Sequence, residues 1–315
     1  MTTNQIEPKR IQITQNREVE PSVISSRQLW LAAIKPPIYS VAVVPILTGT
    51  AIAYSEGYFS ALVCGTFLTS AILIIAWLNL SNDVFDADTG IDVNKAHSVV
   101  NLTGNQSLIF WLSNICLFLG GLGIMLISWW QQDPTVVAII LVCCALGYAY
   151  QGPPFRLGYL GLGEIICFFT FGPGAVAAAY YAQTQRFSKF CFAVSILVGI
   201  STSIILFCSH FHQVEDDLAA GKKSPIVRMG TANGSKVLAI AVGSFYFIAI
   251  ASSLLGYFPS TVLFVALSIP FAWRLVHRVM KYHDIPKLVC NSKFLAVNFY
   301  LASSLLLGIG LLVAK

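Results

Sequence analysis

The sequence predicts an all-α membrane protein, a polytopic bundle of about nine transmembrane helices around a central cavity. Of its 315 residues, 56% are hydrophobic and only 10% are charged, and the mean hydropathy is +0.74. Soluble domains carry about 25% charged residues, so the composition excludes a cytosolic enzyme, a disordered chain and a secreted disulfide scaffold. The apolar stretches are continuous and about 20 residues long, which favours helices over a β-barrel.

The predicted spans follow a polar N-terminal tail, residues 1–28, and form one transmembrane domain, residues 29–315. The nine spans are Ile38–Tyr54, Tyr58–Leu78, Leu108–Trp130, Pro134–Tyr150, Ile165–Ala182, Phe190–Ser209, Val237–Gly256, Phe258–Val276 and Phe294–Ala314. Aromatic residues gather at several ends of these spans, among them Tyr180 and Tyr181, where interfacial anchors are expected. Gly172-Pro-Gly174 predicts a kink within the fifth span.

The distribution of basic residues predicts the orientation. Of the 19 Lys and Arg residues, 16 fall in the tail and in the loops on its side of the membrane, and only Arg186, Lys189 and Lys315 fall on the other. The positive-inside tendency then places the N-terminus in the cytoplasm, with the chain in a plasma (inner) or thylakoid membrane. The net charge of +5 reflects this topology, and we expect no nucleic-acid partner.

Two acidic segments emerge from apolar spans on the predicted cytoplasmic side. The first continues the second span without a break in the helical pattern. Its polar residues at positions i, i+3, i+4 and i+7 share one helical face: Asn79, Asn82, Asp83 and Asp86. Carboxylates at this depth are costly, which favours a functional role for them.

The second acidic segment follows the sixth span and has a similar pattern. Gln213 and Asp217 are one helical turn apart, and His210 precedes them on the same face. Asp86 and Asp217 each precede a glycine by four residues, and a lysine follows in both segments. We interpret this as a weak internal repeat that brings the two segments together across a central cavity.

The residue types in these segments favour magnesium. An EF-hand is excluded because its glycine and its bidentate glutamate are not at the required positions. Zinc lacks ligands beyond His210 and His212. Carboxylates and amides suit Mg²⁺, which shares its ligation with a substrate phosphate, and nearby lysines would bind that phosphate. The predicted substrate is an isoprenyl diphosphate whose chain lies among the spans.

These motifs resemble the UbiA superfamily of intramembrane prenyltransferases. Asn82-Asp83-Val-Phe-Asp86 matches the N-D-x-x-D motif that the superfamily carries after its second span. The run from Tyr150 to Glu164, Tyr-Gln-Gly-Pro-Pro-Phe-Arg-Leu-Gly-Tyr-Leu-Gly-Leu-Gly-Glu, resembles the naphthoate branch, which makes menaquinone and phylloquinone. The segment from residue 212 to 225 is most similar to phytyltransferases of cyanobacteria and plastids that act on 1,4-dihydroxy-2-naphthoate or 2-carboxy-1,4-naphthoquinone.

The resemblance implies Mg²⁺-dependent transfer of a phytyl or polyprenyl chain from its diphosphate to such an acceptor, with loss of CO₂. In the superfamily's second motif, D-x-x-x-D, Gln213 replaces the first Asp and Asp217 matches the second. The implied catalytic and metal-binding residues are Asn82, Asp83, Asp86 and Asp217, with Asp92, Glu215 and Asp216 as substitute ligands. The implied substrate-binding residues are Asn82, Lys95, Tyr148, Tyr150, Arg156, Gln213, Lys222, Lys223 and Arg228.

Two alternatives are compatible with the same residues. In the first, the chain is a prenyltransferase whose acceptor is homogentisate, 4-hydroxybenzoate or a chlorophyllide. In the second, it is a cation-coupled transporter whose acidic residues bind the transported ion. Against transport, these residues cluster at the ends of spans and not near the midplane. His97, His210 or His212 would handle protons or bind the acceptor's carboxylate, and the sequence does not choose among them.

Overall fold

The structure, a computed structural model, describes residues 35–89 and 98–314. Within these ranges every regular element is helical, so the predicted all-α fold is confirmed. The polar tail at residues 1–28 lies outside the described residues.

Thirteen helices follow one another along the described chain. Their bounds are α1 Pro36–Ser55, α2 Ala61–Thr89, α3 Val99–Thr103, α4 Gln106–Gln131, α5 Thr135–Gln151, α6 Gly163–Thr184, α7 Lys189–Ser209, α8 Val214–Ala219, α9 Pro225–Met229, α10 Thr231–Leu254, α11 Ser260–Tyr282, α12 Pro286–Val289 and α13 Ser292–Val313. α11 starts as a 3₁₀ helix, Ser260–Ser268, and α7 ends in one 3₁₀ turn, His210–His212.

Eight of the nine predicted spans correspond to helices that are long and apolar enough to cross a membrane, within the described ranges. The predicted fourth span, Pro134–Tyr150, corresponds to α5, which has only 17 residues. At 1.5 Å per residue, α5 is about 26 Å long, slightly less than the bilayer's hydrocarbon thickness of about 30 Å. The second span was predicted to end at Leu78, but α2 continues to Thr89 and carries the first acidic segment, as its helical spacing indicated.

The predicted kink in the fifth span is a widened turn of α6. Residues Thr170–Gly174 form a π-helical turn around Pro173, which has no backbone N–H to donate. Gly172 in this turn faces α7, where a Cβ would lie 2.8 Å from the carbonyl oxygen of Ser195 and 2.7 Å from the Cα of Gly199. The absence of a side chain therefore lets α6 and α7 pack backbone against backbone.

A second close approach joins α1 to α6. A Cβ on Gly49 would lie 2.4 Å from the carbonyl oxygen of Val176 and 2.8 Å from the backbone nitrogen of Tyr180. The largest buried cluster lies beside this contact and draws large side chains from α1, α7, α10 and α13, including Ile52, Leu197, Phe245, Phe299 and Tyr300. α4 lies outside this core, packs mainly along α2, and presents exposed apolar side chains to the surrounding lipid.

Polar ties close the bundle at the end opposite the acidic segments. The hydroxyl of Tyr180 donates to Glu56 Oε2 at 2.5 Å, and that of Tyr181 donates to Asp133 Oδ2 at 2.7 Å. Hydrogen bonds from Thr135 and Tyr181 lower the pKa of Asp133. Both tyrosines are buried, so the expectation that they anchor the protein at the membrane interface is wrong. Both tyrosines lie between helices, so their hydroxyls have protein partners. The spacing of residues along one helix does not indicate contacts of this kind.

We expect Gly49→Ala to lower the free energy of unfolding by about 1–3 kcal/mol, because the new methyl group overlaps the backbone of α6. The measurement is thermal denaturation of the purified protein in detergent. Gly243→Ala in α10 is the matched control, since a Cβ there meets nothing within 4 Å. Equal denaturation midpoints for the two variants would contradict the close contact between α1 and α6.

Candidate active site

One cavity of about 790 Å³ opens at the end of the bundle where α2 ends and α6 begins, which we call the mouth. Its volume is in the range of ligand-binding cavities. The polar side chains in its wall gather at the mouth and include Lys35, Asn79, Asn82, Asp83, Asp86, His210, Gln213, Lys222 and Lys293. The two acidic segments, more than 120 residues apart in the chain, therefore line the same cavity.

Below the mouth the cavity is lined mainly by apolar side chains. Ile46, Ile140 and Ala175 belong to its wall and lie 10 to 12 residues from the mouth ends of α1, α5 and α6. At 1.5 Å per residue the cavity extends roughly 15–18 Å into the bundle. A charged head at the mouth and a long apolar chain below it would match this distribution.

Asp83 is the most buried carboxylate of the first acidic segment, with 3% of its surface exposed. Its Oδ1 accepts from the Lys35 ammonium group at 2.9 Å, and its Oδ2 accepts from the backbone N–H of Val99 at 2.9 Å. Asp83 thus connects α2 to the residue before α1 and to the first residue of α3. Asp86, one turn further along α2, is part of the cavity wall.

The cavity wall also contains two amide side chains, one on α2 and one at the end of α5. The Asn79 amide nitrogen is buried in the cavity wall and has no hydrogen-bond partner among the described residues. Gln151, at the end of α5, donates to the hydroxyl of Ser81 at 2.5 Å. An unpaired buried amide is costly, so the wall around Asn79 is suited to a polar ligand group.

Asp217 is the buried carboxylate of the second segment, with only 1% of its surface exposed. Its Oδ2 is 3.2 Å from His210 Nδ1, and its Oδ1 is 3.2 Å from Lys222 Nζ. Burial acts to raise the pKa of Asp217, but the hydrogen bond with His210 and the charge of Lys222 outweigh it, so the pKa lies below its ordinary value. The carboxyl group is therefore ionised at neutral pH.

The remaining polar residues of the second segment differ in position. Gln213 belongs to the cavity wall. Glu215 and Asp216, predicted as substitute ligands, are exposed on the outer side of α8. Only Asp217 turns inward on this helix, and it lies behind the cavity wall, in contact with the wall residues His210 and Lys222.

Of the predicted phosphate-binding cations within the described residues, only Lys222 belongs to the cavity wall. Lys223 and Arg228 are exposed, and the guanidinium group of Arg228 donates to the carbonyls of Lys223 and Leu160. Gly161 allows this contact, because its φ is +72° and a Cβ there would lie 2.5 Å from the Lys223 carbonyl oxygen. Arg228 thus joins the loop after α5 to the loop after α8.

Other predicted site residues lie beside the cavity or outside the described ranges. Arg156 is partly buried, and its Nε has no hydrogen-bond partner among the described residues. Asp92, Lys95 and His97 lie outside the described residues. His212 is partly buried and does not belong to the cavity wall.

The two predicted tyrosines have different surroundings. Tyr150 lines the cavity, and its ring lies against Gly158 and Gly163, where a Cβ would be 2.6 Å and 2.8 Å from it. Tyr150 therefore belongs to the same cavity wall as Asp86 of the first acidic segment and Gln213 of the second. Tyr148 is exposed, and its hydroxyl donates to the carbonyl of Pro153.

Sequence reasoning missed three charged residues at this site. Lys35 was counted only as a topological charge, and Lys293, at the start of α13, was treated in the same way. Glu164 was noted only as part of a motif, yet its Oε1 is 3.4 Å from His210 Nε2. The usable signal was a charged residue within a turn of the mouth ends of α1, α6 and α13.

The donor types at the mouth fit magnesium. Among residues 35–89 and 98–314, no three His, Cys, Asp or Glu side chains converge closely enough to hold a metal ion by themselves. The mouth instead offers separate carboxylate and amide oxygens, from Asn82, Asp86 and Gln213, beside Lys222. This arrangement suits Mg²⁺, which commonly takes one or two protein carboxylates, several waters and the oxygens of a substrate phosphate.

Comparison with known proteins agrees with this geometry. A 2-carboxy-1,4-naphthoquinone phytyltransferase from Synechocystis is 58% identical over 300 residues, covering 95% of this chain and 98% of its own length. The chloroplastic enzyme of the same name from Arabidopsis thaliana is 40% identical, covering 94% of this chain and 80% of its own. A solved UbiA homologue from Archaeoglobus fulgidus, bound to GPP and Mg²⁺, is 15% identical with a TM-score of 0.59, covering 90% of this chain and 99% of its own.

The match to a family extends over most of the sequence, since residues 42–312 correspond to the UbiA prenyltransferase family. The solved homologue shares the helical membrane fold. The transporter alternative is thereby set aside. With a relative 58% identical across nearly its whole length, this chain belongs to the UbiA prenyltransferase family.

Proposed function

We propose that this enzyme transfers a phytyl group from phytyl diphosphate to 2-carboxy-1,4-naphthoquinone, or to its reduced form 1,4-dihydroxy-2-naphthoate, in phylloquinone or menaquinone biosynthesis. The observation that carries the proposal is the 58% identity, over nearly the full length of both chains, to a phytyltransferase with that acceptor. The cavity supports it, because a charged mouth above an apolar tunnel suits a prenyl diphosphate.

The proposed reaction balances without an oxidant or reductant. The bond between the allylic carbon and the diphosphate oxygen breaks, and its electron pair leaves with the diphosphate. A carbon–carbon bond forms at the carboxyl-bearing ring carbon of the acceptor. The bond to the carboxylate then breaks, CO₂ leaves, and the electron pair stays with the ring.

Binding of the diphosphate is the task we assign to the residues at the mouth. Asp83, Asp86 and Asp217, with the amide of Asn82, would hold Mg²⁺, which neutralises the charge that develops on the leaving diphosphate. Each oxygen of Asp83 and Asp217 retains a further lone pair beyond its contacts with protein groups. Lys222, and Lys35 in addition, would bind diphosphate oxygens through charge-assisted hydrogen bonds.

The allylic cation must be kept from water until the acceptor attacks. Tyr150 lines the same cavity as residues of both acidic segments, where its ring face would stabilise the cation. The apolar wall below the mouth, including Ile46 and Ile140, excludes water from the prenyl chain. Tyr148 is assigned no contact with the substrate, because its hydroxyl is bonded at the surface.

The mouth would face the cytoplasm. The basic residues that fix the predicted orientation belong to the same ends of helices as the acidic segments. We therefore propose a single transmembrane domain, residues 29–315, in a plasma or thylakoid membrane, with the diphosphate bound on the cytoplasmic side.

The acceptor is tested with membranes that contain the protein, Mg²⁺ and phytyl diphosphate, each given one aromatic acid. We expect a prenylated, decarboxylated product from the naphthoate or carboxynaphthoquinone, identified by mass. Homogentisate and 4-hydroxybenzoate serve as comparison acceptors. Product from one of these, with none from the naphthalene acids, would overturn the assigned acceptor and leave prenyl transfer intact.

Asp217→Asn should lower turnover on the order of 10²-fold, because the variant keeps the shape of the side chain but loses the negative charge that would hold Mg²⁺ against the leaving diphosphate. Product formation per folded protein is the measurement. Asp284→Asn is the control, since this carboxylate is exposed, whereas Asp217 is buried. Turnover of Asp217→Asn within a few-fold of the control would remove Asp217 from the site.

The depth of the cavity predicts a change in donor preference. Ala175→Phe would fill the lower cavity, so we expect kcat/KM for phytyl diphosphate to fall about tenfold or more relative to geranyl diphosphate. Competition between the two donors measures the ratio directly. Leu305→Phe on the lipid-facing side of α13 is the control. An unchanged ratio in Ala175→Phe would show that the prenyl chain lies elsewhere.

A further inference from the structure

A buried chain of charged groups connects α6 to the second acidic segment. Glu164, in the first turn of α6, has Oε1 3.4 Å from Nε2 of His210. The other ring nitrogen, Nδ1, is 3.2 Å from Oδ2 of Asp217. His210 is only 4% exposed, and an ionised Asp217 can only accept, so Nδ1 carries a proton. One imidazole ring therefore lies between two carboxylates.

Glu164 gains little from packing. Both of its carboxylate oxygens are buried, and neither accepts a hydrogen bond from any described residue. Removing a carboxylate from water costs several kcal/mol unless a charge or donor compensates it. The compensating group that the structure shows is His210, whose Nε2 lies at ion-pair distance from Oε1.

A role in holding the helices together does not account for this carboxylate. The backbone carbonyl of Glu164 already accepts from the Ser203 hydroxyl at 2.8 Å, which ties α6 to α7. The close contact at Gly172 ties the same two helices about two turns deeper. Neither contact uses the Glu164 side chain.

The carboxylate of Glu164 instead lies where the second acidic segment lacks a carboxylate of its own. Gln213 is neutral, and Glu215 and Asp216 are exposed, so Asp217 is the one carboxylate which that segment buries beside the cavity. Glu164 brings a second carboxyl group there from a different helix. Such outer partners of a metal-binding group set its orientation and basicity.

We propose that Glu164 is a positioning residue for the diphosphate site. It holds the His210 ring in place, and the ring fixes the carboxylate of Asp217 between His210 and Lys222. This rests on the proposed function, because Asp217 is the group that would bind the Mg²⁺ diphosphate. Loss of the Glu164 charge should weaken metal-dependent binding of the donor more than it weakens the fold.

The test is a Mg²⁺ titration of the purified protein with phytyl diphosphate and no acceptor, followed by the rise in thermal denaturation temperature. We expect Glu164→Gln to raise the Mg²⁺ concentration at half-maximal stabilisation about tenfold or more. Glu164→Asp, which keeps the charge, should lie between Glu164→Gln and the wild type. If Glu164 acts through His210, the double variant Glu164→Gln with His210→Gln should need no more Mg²⁺ for half-maximal stabilisation than His210→Gln alone.

Tyr180→Phe is the control for simple loss of stability. It removes a buried hydroxyl at the far end of the bundle, so its denaturation temperature should fall while its Mg²⁺ midpoint stays at the wild-type value. A wild-type midpoint in Glu164→Gln, or additive effects in the double variant, would overturn the positioning role. Absence of any stabilisation of the wild-type protein would overturn the proposed function itself, and the inference with it.

Discussion

Two buried carboxylates at the mouth of an apolar cavity are the constraint around which the rest of this structure is arranged. Asp83 and Asp217 are almost completely removed from solvent, and an isolated charge in such surroundings would be neutralised or expelled. Each therefore has a lysine within 3.2 Å and one further donor, a backbone N–H for Asp83 and an imidazole for Asp217. The chain before α1, the start of α3 and the turn after α7 are positioned by these contacts.

The same arrangement explains why the site can be both stable and reactive. The carboxylates are compensated by groups on separate helices and loops. Their lysine partners are cations on flexible stems, and in the proposed function they would bind diphosphate oxygens without leaving the mouth. Below the mouth, close contacts such as the one at Gly49 hold the helices around an apolar space.

Patterns within one helix were predictable from the sequence. The spans follow from continuous hydropathy, and the extension of α2 through Asp83 and Asp86 follows from helical spacing. Pairs from different helices were not predictable, because Lys35 and Asp83 are 48 positions apart and nothing in either segment indicates the other. Arg228 shows the same limit, since its nearness to the second segment suggested a phosphate ligand, whereas its guanidinium group is bonded to two backbone carbonyls.

The contacts of Arg228 have a consequence for how such enzymes diversify. They join the loop after α5 to the loop after α8, and Gly161 lets the two backbones touch. Neither loop keeps its shape if the other is exchanged for a sequence of different length or without that glycine. These two loops at the mouth are over 60 residues apart in the chain, but they form one structural unit. Chimeras that exchange one of these loops must therefore exchange both together.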